Sequence, residues 1–350
     1  DLIENALKNA RWEMDAVLFR TAMSPGIREQ HDEFPMIANN DGKMVVGQFG
    51  SFIYGFIEGY EGTIEEGDIF LTNDPYSCRG AISHLPDWLV LMPIFKDHRV
   101  IAWSAMFGHM TDVGGKVPGS LPVDANQIYE EGIMIPPTKI YKKGKLNSEI
   151  LELILHNCRL PEWNRADFNA LIAALRIAEK RCIEIAERFG DDNFIEAMEQ
   201  MLDRNKRAMS AIIGMFVPEK KAYFEDYICD DGIGMGPYKV ACTLHRDKNG
   251  VAVFDFEGTD PQSMSSVNFM LNEEMFKMFL GAFTINIFDP QILFNDGFYD
   301  LVDVRIPAGT ILKPMKPASL SSRTHMLGRI FDIMGGLLGQ GAPDALNAAG

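Results

Sequence analysis

Trp88 to Phe95 and Val100 to Phe107 are two strongly apolar runs joined by the polar Lys96-Asp97-His98-Arg99. So short a polar link between two such runs predicts a buried β-hairpin. That hairpin constrains the rest, because it fixes which residues meet at its open end. His84 and Asp87 stand just before the first strand and His109 just after the second, so the hairpin brings all three to one edge. Two imidazoles and a carboxylate are the ligand set that Zn, Mn or Fe takes in a catalytic centre with an open position. Pro86 stiffens the gap between His84 and Asp87, and Gly108 and Gly114-Gly115 let backbone crowd around His109. A histidine near a strand end is more often a satisfied core or surface residue, and His-x-x-Asp alone is a modest signal.

Other polar groups carry two readings each. His31-Asp32-Glu33 is either a solvated loop or cap, or the source of a fourth, carboxylate ligand at Asp32. Asn73-Asp74-Pro75-Tyr76 shapes a turn, with a chemical role for Asp74 as the sharper alternative. Asp112, three residues past His109, could hold a ligand imidazole by its second nitrogen or point to water. Spacing ranks none of His31, Asp74, Asp112 and His325 as a catalytic base.

Around the hairpin the chain alternates between periods. Residues 2 to 18 have helical spacing that ends at Ser24-Pro25-Gly26, and the short apolar runs from Phe34 to Leu71 suggest strands and hairpins. Asn147 to Gly190 and Phe194 to Met215 are helical. After Pro218 strands return, with Tyr238–Leu244 and Val251–Phe256 joined across Lys248-Asn249-Gly250 by a type I′ signal. Residues 268–288 and 323–340 read as helices, the second containing Gly335-Gly336. The expected fold is mixed α+β, with a metal-bearing region over 1–216 (strands, then helices over 147–215). A β-richer region with helices follows over 217–350, packed on the first. Because Asp1 lies inside a helical pattern and Gly350 follows another, the sequence reads as part of a longer polypeptide.

Composition excludes several classes. With 49 acidic against 33 basic residues the net charge is −16, which repels nucleic acid and anionic membranes. No run of about 18 apolar residues would span a bilayer. The five cysteines lack a pairing pattern and read as reduced thiols of a cytoplasmic protein. Neither Gly114-Gly115-Lys116-Val117 nor Gly232-Ile233-Gly234-Met235-Gly236 satisfies a phosphate-loop or dinucleotide pattern, and no G-x-S-x-G elbow is present.

Six ordered motifs then carry a resemblance: Arg20-Thr21-Ala22-Met23-Ser24-Pro25, Asn73-Asp74-Pro75-Tyr76, His84-Leu85-Pro86-Asp87, His109-x-x-Asp112-Val113-Gly114-Gly115, Pro118-Gly119-Ser120, and Ile128-Tyr129-Glu130-Glu131-Gly132 with Ile135-Pro136-Pro137. Together they resemble the hydantoinase B/oxoprolinase family. The resemblance implies a metal centre at His84, Asp87 and His109, with Asp32 as the matching aspartate. It also implies that ATP and Mg bind in a hydantoinase A-like partner subunit, which accounts for the missing phosphate loop. Hydantoinase-type members have Asp-Phe-Ser where this chain has Asp32-Glu33-Phe34, which sets the role of Asp32 apart.

Two chemistries occur in the family. His31-Asp32-Glu33-Phe34-Pro35-Met36-Ile37, Met44 to Gly50, and Arg323-Thr324-His325 with Gly328-Arg329-Ile330-Phe331-Asp332 are more similar to large subunits of acetone and acetophenone carboxylases. The resemblance thus implies a ketone, as its enolate, held at Mn, Zn or Fe for attack on CO₂ from carboxyphosphate, and a small third subunit. Met106, Phe107 and Met110 beside His109 could line a dry pocket, or be ordinary core. ATP-driven opening of a cyclic amide is the alternative reaction. A scaffold with a structural metal is the non-catalytic one.

Overall fold

The computed structural model describes residues 1–47, 52–218 and 220–342. Gln48-Phe49-Gly50 of the quoted run and the terminal Asn347–Gly350 lie outside the described residues. The chain divides into two compact units, one of Asp1–Ser120, Glu131–Leu202 and Phe294–Asp296, the other of Leu121–Glu130, Asp203–Leu293 and the chain from Gly297.

The first unit opens with α1 (Leu2–Thr21) and α2 (Pro25–Arg28), then β1 (Glu33–Ala38), β2 (Met44–Gly47), α3 (Phe52–Gly59) and β3 (Ile69–Thr72). β4 (Asp87–Lys96), β5 (Arg99–His109), β6 (Thr138–Lys142) and β7 (Lys145–Leu146) complete its sheet, and α4 (Ser148–His156), α5 (Pro161–Phe189) and the part of α6 (Asp191–Phe216) up to Leu202 follow. The sheet order is β2-β1-β5-β4-β3-β6-β7, with antiparallel neighbours throughout. The predicted hairpin is its centre: β4 pairs with β5 from Asp87↔His109 to Lys96↔Arg99. Asp97 and His98 both have positive φ, 48° and 63°, so the reversal is a two-residue type I′ turn. β4 is buried from Asp87 to Ile94, which explains its unbroken apolar run: α1 and α5 pack on the face of the sheet that carries Trp88 and Gly108. Each large side chain buried here contributes about 1.5–3 kcal/mol.

The second unit has a four-stranded sheet, order β11-β10-β9-β8, from β8 (Ala222–Ile228), β9 (Tyr238–Arg246), β10 (Ala252–Asp255) and β11 (Val302–Arg305). Helices α7 (Glu273–Phe288) and α8 (Thr324–Gly341) accompany it, and α8 packs on β8 and β9. Gly336 is required there, since a Cβ would lie 2.4 Å from the Phe224 ring. The mixed α and β class is as expected.

Four local expectations fail for physical reasons. Residues 34–71 contain a helix, α3, which at 8 residues is shorter than the window over which a helical period shows in sequence. The helical stretch 147–190 is two helices, broken between His156 and Pro161. The helix expected from residue 268 starts at Glu273, where the Asn272 side chain accepts a bond from Met275 N. Lys248-Asn249-Gly250 is not a type I′ turn: among these only Gly250 has positive φ, and the Asp247 carboxylate accepts bonds from Asn249 N and Val251 N to shape a longer loop.

Asp68, fully buried before β3, pairs with Lys139 at 2.6 Å and accepts bonds from the backbone N–H groups of Lys143 and Glu65. Burial alone would raise its carboxyl, but Lys139 and these donors outweigh it and hold it below the usual carboxylate range. A depressed acid stabilises the fold above its unfolded pKa of about 3.9, and that contribution disappears as pH falls through the lower folded value. Asp68→Asn should destabilise the protein by about 3 kcal/mol near neutrality, with a smaller loss at pH 3, read from urea midpoints across pH. An equal loss at both pH values would show that the pair's charge contributes nothing.

Candidate metal centre

Each candidate ligand is placed by backbone bonds that the sequence pattern sets up. The Asn73 side-chain amide donates to Leu85 O and Ile133 O and accepts from Ile135 N, pinning the 83–87 run beside the end of β3. Met110 N bonds Pro86 O at 2.8 Å and His109 N bonds Asp32 O at 3.1 Å, so the segments before β4, after β5 and before β1 are tied together. Asp32 N in turn donates to Gly26 O, and the His109 ring lies 3.5 Å from where a Gly26 Cβ would stand. A bulkier residue at 26 would crowd that imidazole.

The result is a tight trio. His84 Nε2 and His109 Nδ1 are 3.2 Å apart, and Asp87 Oδ1 is 3.0 Å from the same His109 Nδ1. Asp87 Oδ2 is also 3.0 Å from His84 Nδ1, so the carboxylate lies against both imidazoles. His109 Nδ1 thus meets His84 Nε2 and an anionic oxygen together, a convergence that the ring's own N–H or a metal ion can bridge. Among the described residues this is the one group of three or more His, Cys, Asp or Glu side chains with donor atoms in mutual reach, all within 4.8 Å.

Asp32 stands at the mouth, its Oδ2 3.6 Å from His109 Nδ1 and its side chain 43% exposed, whereas His84 is 1% exposed. The trio is thus closed behind and open toward Asp32. Burial would raise the Asp87 carboxyl, but the imidazoles of His84 and His109 outweigh it and keep it well below the usual carboxylate range. Nitrogen and carboxylate donors that converge, with one side open, fit a divalent ion in a site of the catalytic kind.

Glu33, whose side chain the sequence left unexplained, turns away from this cluster. It pairs with Gly108 across β1 and β5, on the face that α1 covers, and burial together with Asp15 and Asp32 pushes it up to about 8. Asp112 does not hold an imidazole by its second nitrogen. Its oxygens accept from Gly114 N, Gly119 N and Arg159, so it fixes the glycine loop after His109 instead.

Of the base candidates, His31 is exposed and edge-on to the Phe19 ring at 4.2 Å. Asp74 is buried and accepts from Tyr76 N and Ser77 Oγ. His325 lies in the second unit at the start of α8, where it lines a cavity of about 490 Å³ with Arg329, Tyr227 and Asp231. Met106 and Met110 are fully buried and Phe107 nearly so.

Sequence reasoning missed Asn73 as a brace and Asp167 altogether. Asp167 on α5 accepts bonds from Met23 N at 2.5 Å and from Ser24 N and Oγ, and Ser24 Oγ is 2.8 Å from Thr111 Oγ1, two residues past His109. No local signal marks a contact between residues 143 apart.

A family profile described as hydantoinase B/oxoprolinase matches residues 1–350. Caprolactamase subunit beta of Pseudomonas jessenii is 28% identical over 359 residues, covering 99% of this chain and 60% of that protein. The acetophenone carboxylase delta subunit of Aromatoleum aromaticum is 28% identical over 252 residues, covering 68% and 36% respectively. The solved structure of the ATP-dependent caprolactamase from Pseudomonas jessenii superposes with a TM-score of 0.86 at 26% identity, over 98% of this chain and 60% of that one. The chain spans about three fifths of the length of the curated relatives that it matches from end to end.

Proposed function

The chain belongs to the hydantoinase B/oxoprolinase family, and from that premise we propose that it is the metal-bearing subunit of an ATP-dependent enzyme that activates a carbonyl group, with ketone carboxylation as its reaction. The observation that carries this reading is the convergence of His84 Nε2, His109 Nδ1 and Asp87 Oδ1, with Asp32 at the open side. A divalent ion held there, Mn, Zn or Fe, would supply Lewis acidity toward a carbonyl oxygen. Asp87, kept anionic and shielded from water, would hold that ion and orient His84. The buried floor that continues from Asp87 through Leu89 and Phe107 would slow the loss of reactive species to water.

Residues 1–216 would form the metal-bearing region and 217–350 a second region. ATP and Mg would bind in a hydantoinase A-like partner subunit, and a small third subunit would complete the assembly. Two of the relatives named above are themselves called subunits. A cytoplasmic location goes with this reading. Among the described residues no helix is long and apolar enough to cross a membrane.

A second reading, ATP-driven opening of a cyclic amide, is favoured by a separate observation: the caprolactamase likeness runs along 99% of the chain and the acetophenone carboxylase likeness along 68%. A scaffold with a structural metal would need four protein ligands closing the site, and the exposure of Asp32 speaks against it.

The assembled enzyme separates these readings. Ketone carboxylation requires ATP turnover that rises with a small ketone only when bicarbonate is present. Turnover that rises with a cyclic amide and ignores bicarbonate would replace it with the second reading. No response to either substrate would leave the scaffold.

A further inference from the structure

A small cavity lies on the face of the sheet that carries the metal cluster. Side chains alternate along β4, so Asp87, Leu89 and Leu91 share one face, opposite His109, Phe107 and Ala105 of β5. At about 3.4 Å per residue, Leu89 is only about 7 Å along the strand from Asp87. Thr72 of β3 pairs with Leu89, and α3 covers this face, its Phe56 ring 4.7 Å from that of Phe70. Between helix and sheet is a cavity of about 40 Å³, lined by Gly55, Phe56, Thr72, Ala81, Leu89 and Leu91 among others. Ala81 is three residues before His84 and Leu89 two residues after Asp87, so the cavity flanks the segment that supplies those two ligands. Its exposed polar lining, Ser77 and Arg79, marks the side open to solvent.

We propose that this cavity receives the short apolar arm of the carbonyl compound activated at the Asp32, His84, Asp87 and His109 cluster, and that it selects an arm of up to about three carbons over a ring. The proposal rests on the carbonyl-activating reading above. Size sets the limit: a water needs about 10–15 Å³ of such volume, and an apolar cavity that takes benzene measures about 150 Å³. A volume of 40 Å³ lies between them. The deep wall offers aromatic and aliphatic carbon with one hydroxyl, Thr72, which already donates to Ile135 O. That deep wall rewards methylene groups, and the one charged lining residue, Arg79, stands at the solvent side.

Gly55 supplies a clean test. It lies within α3 at the cavity wall, and a Cβ there would meet nothing within 4 Å, so Gly55→Leu has room to start a side chain that competes for the cavity and it improves the helix. In the assembled, Zn-loaded protein, the affinities of formo-, aceto-, propiono-, butyro- and benzohydroxamate would be measured by calorimetry. Affinity should rise about 3- to 4-fold per added methylene up to butyrohydroxamate and fall back for the benzo compound. Gly55→Leu should erase that rise and leave formohydroxamate within twofold of wild type. A flat series, or a rise indifferent to Gly55→Leu, overturns the proposal. Failure of formohydroxamate to bind wild type overturns the carbonyl-activating reading, and the arm with it. A metal-independent readout separates the two: xenon-pressurised crystals of metal-free protein should hold an atom between Phe56 and Leu89 in wild type and none in Gly55→Leu. An empty wild-type cavity defeats the subsite whatever the metal does.

Discussion

The His84→Ala, His109→Ala double variant, purified in its assembly, is expected to lose nearly all of its metal by elemental analysis and to fall at least about 1,000-fold in turnover. That loss corresponds to about 4 kcal/mol of transition-state stabilisation, the scale of one Lewis acid at a developing charge. The double variant also has a stability consequence. Asp87 is 7% exposed, and both imidazoles that hold its carboxyl low would be gone, so a buried carboxylate would be stranded. Adding Asp87→Asn removes that charge, and the triple variant should regain stability while remaining metal-free. Asp32→Asn, at the exposed side, should keep the fold and weaken metal binding alone. Unchanged metal content in the double variant would remove the cluster from the chemistry and leave a scaffold whose reaction lies in its partner.

The central hairpin and the meeting of His84, Asp87 and His109 were legible because a two-residue turn between apolar runs leaves one register, and register decides which ends meet. The same local logic failed at α3. Phe52–Gly59 is a short helix whose Phe56 packs on Phe70 and Trp103, tertiary contacts that a window of 8 residues does not announce. Two turns exchanged roles. Asp97 and His98, neither of them glycine, adopt the left-handed pair of a type I′ turn because the strands on either side are already fixed. Lys248-Asn249-Gly250 sits beside an aspartate that offers its backbone better partners. Asp112 followed the same rule: four residues on from Gly108 it had glycine N–H groups and Arg159 closer to hand than any imidazole. Spacing brought His84, Asp87 and His109 to one place, and it was silent on the braces behind them, which come from distant segments.

Asp167 is the brace with the largest expected effect. Its carboxylate is fully buried and satisfies the N–H of Met23 and both the N–H and the hydroxyl of Ser24. Asp167→Ala would leave the two Ser24 donors buried without that acceptor, at about 1–3 kcal/mol each, so a loss of about 2–6 kcal/mol is expected in urea titration. The consequence should not stop at stability. Ser24 begins the Pro25-Gly26 turn, whose Gly26 carbonyl accepts from Asp32 N and whose backbone abuts the His109 ring, and Ser24 Oγ also contacts Thr111. Slack in that turn moves Asp32 and His109 together, and metal affinity should fall about 10- to 100-fold, as it does when groups that orient ligands are lost. Asp167→Asn keeps one carbonyl oxygen for the backbone donors and should recover part of both losses in step. If stability falls while the metal titration is unmoved, Asp167 only fastens α5 to the loop after α1, and the rigidity of the metal centre must come from the β4 and β5 register itself.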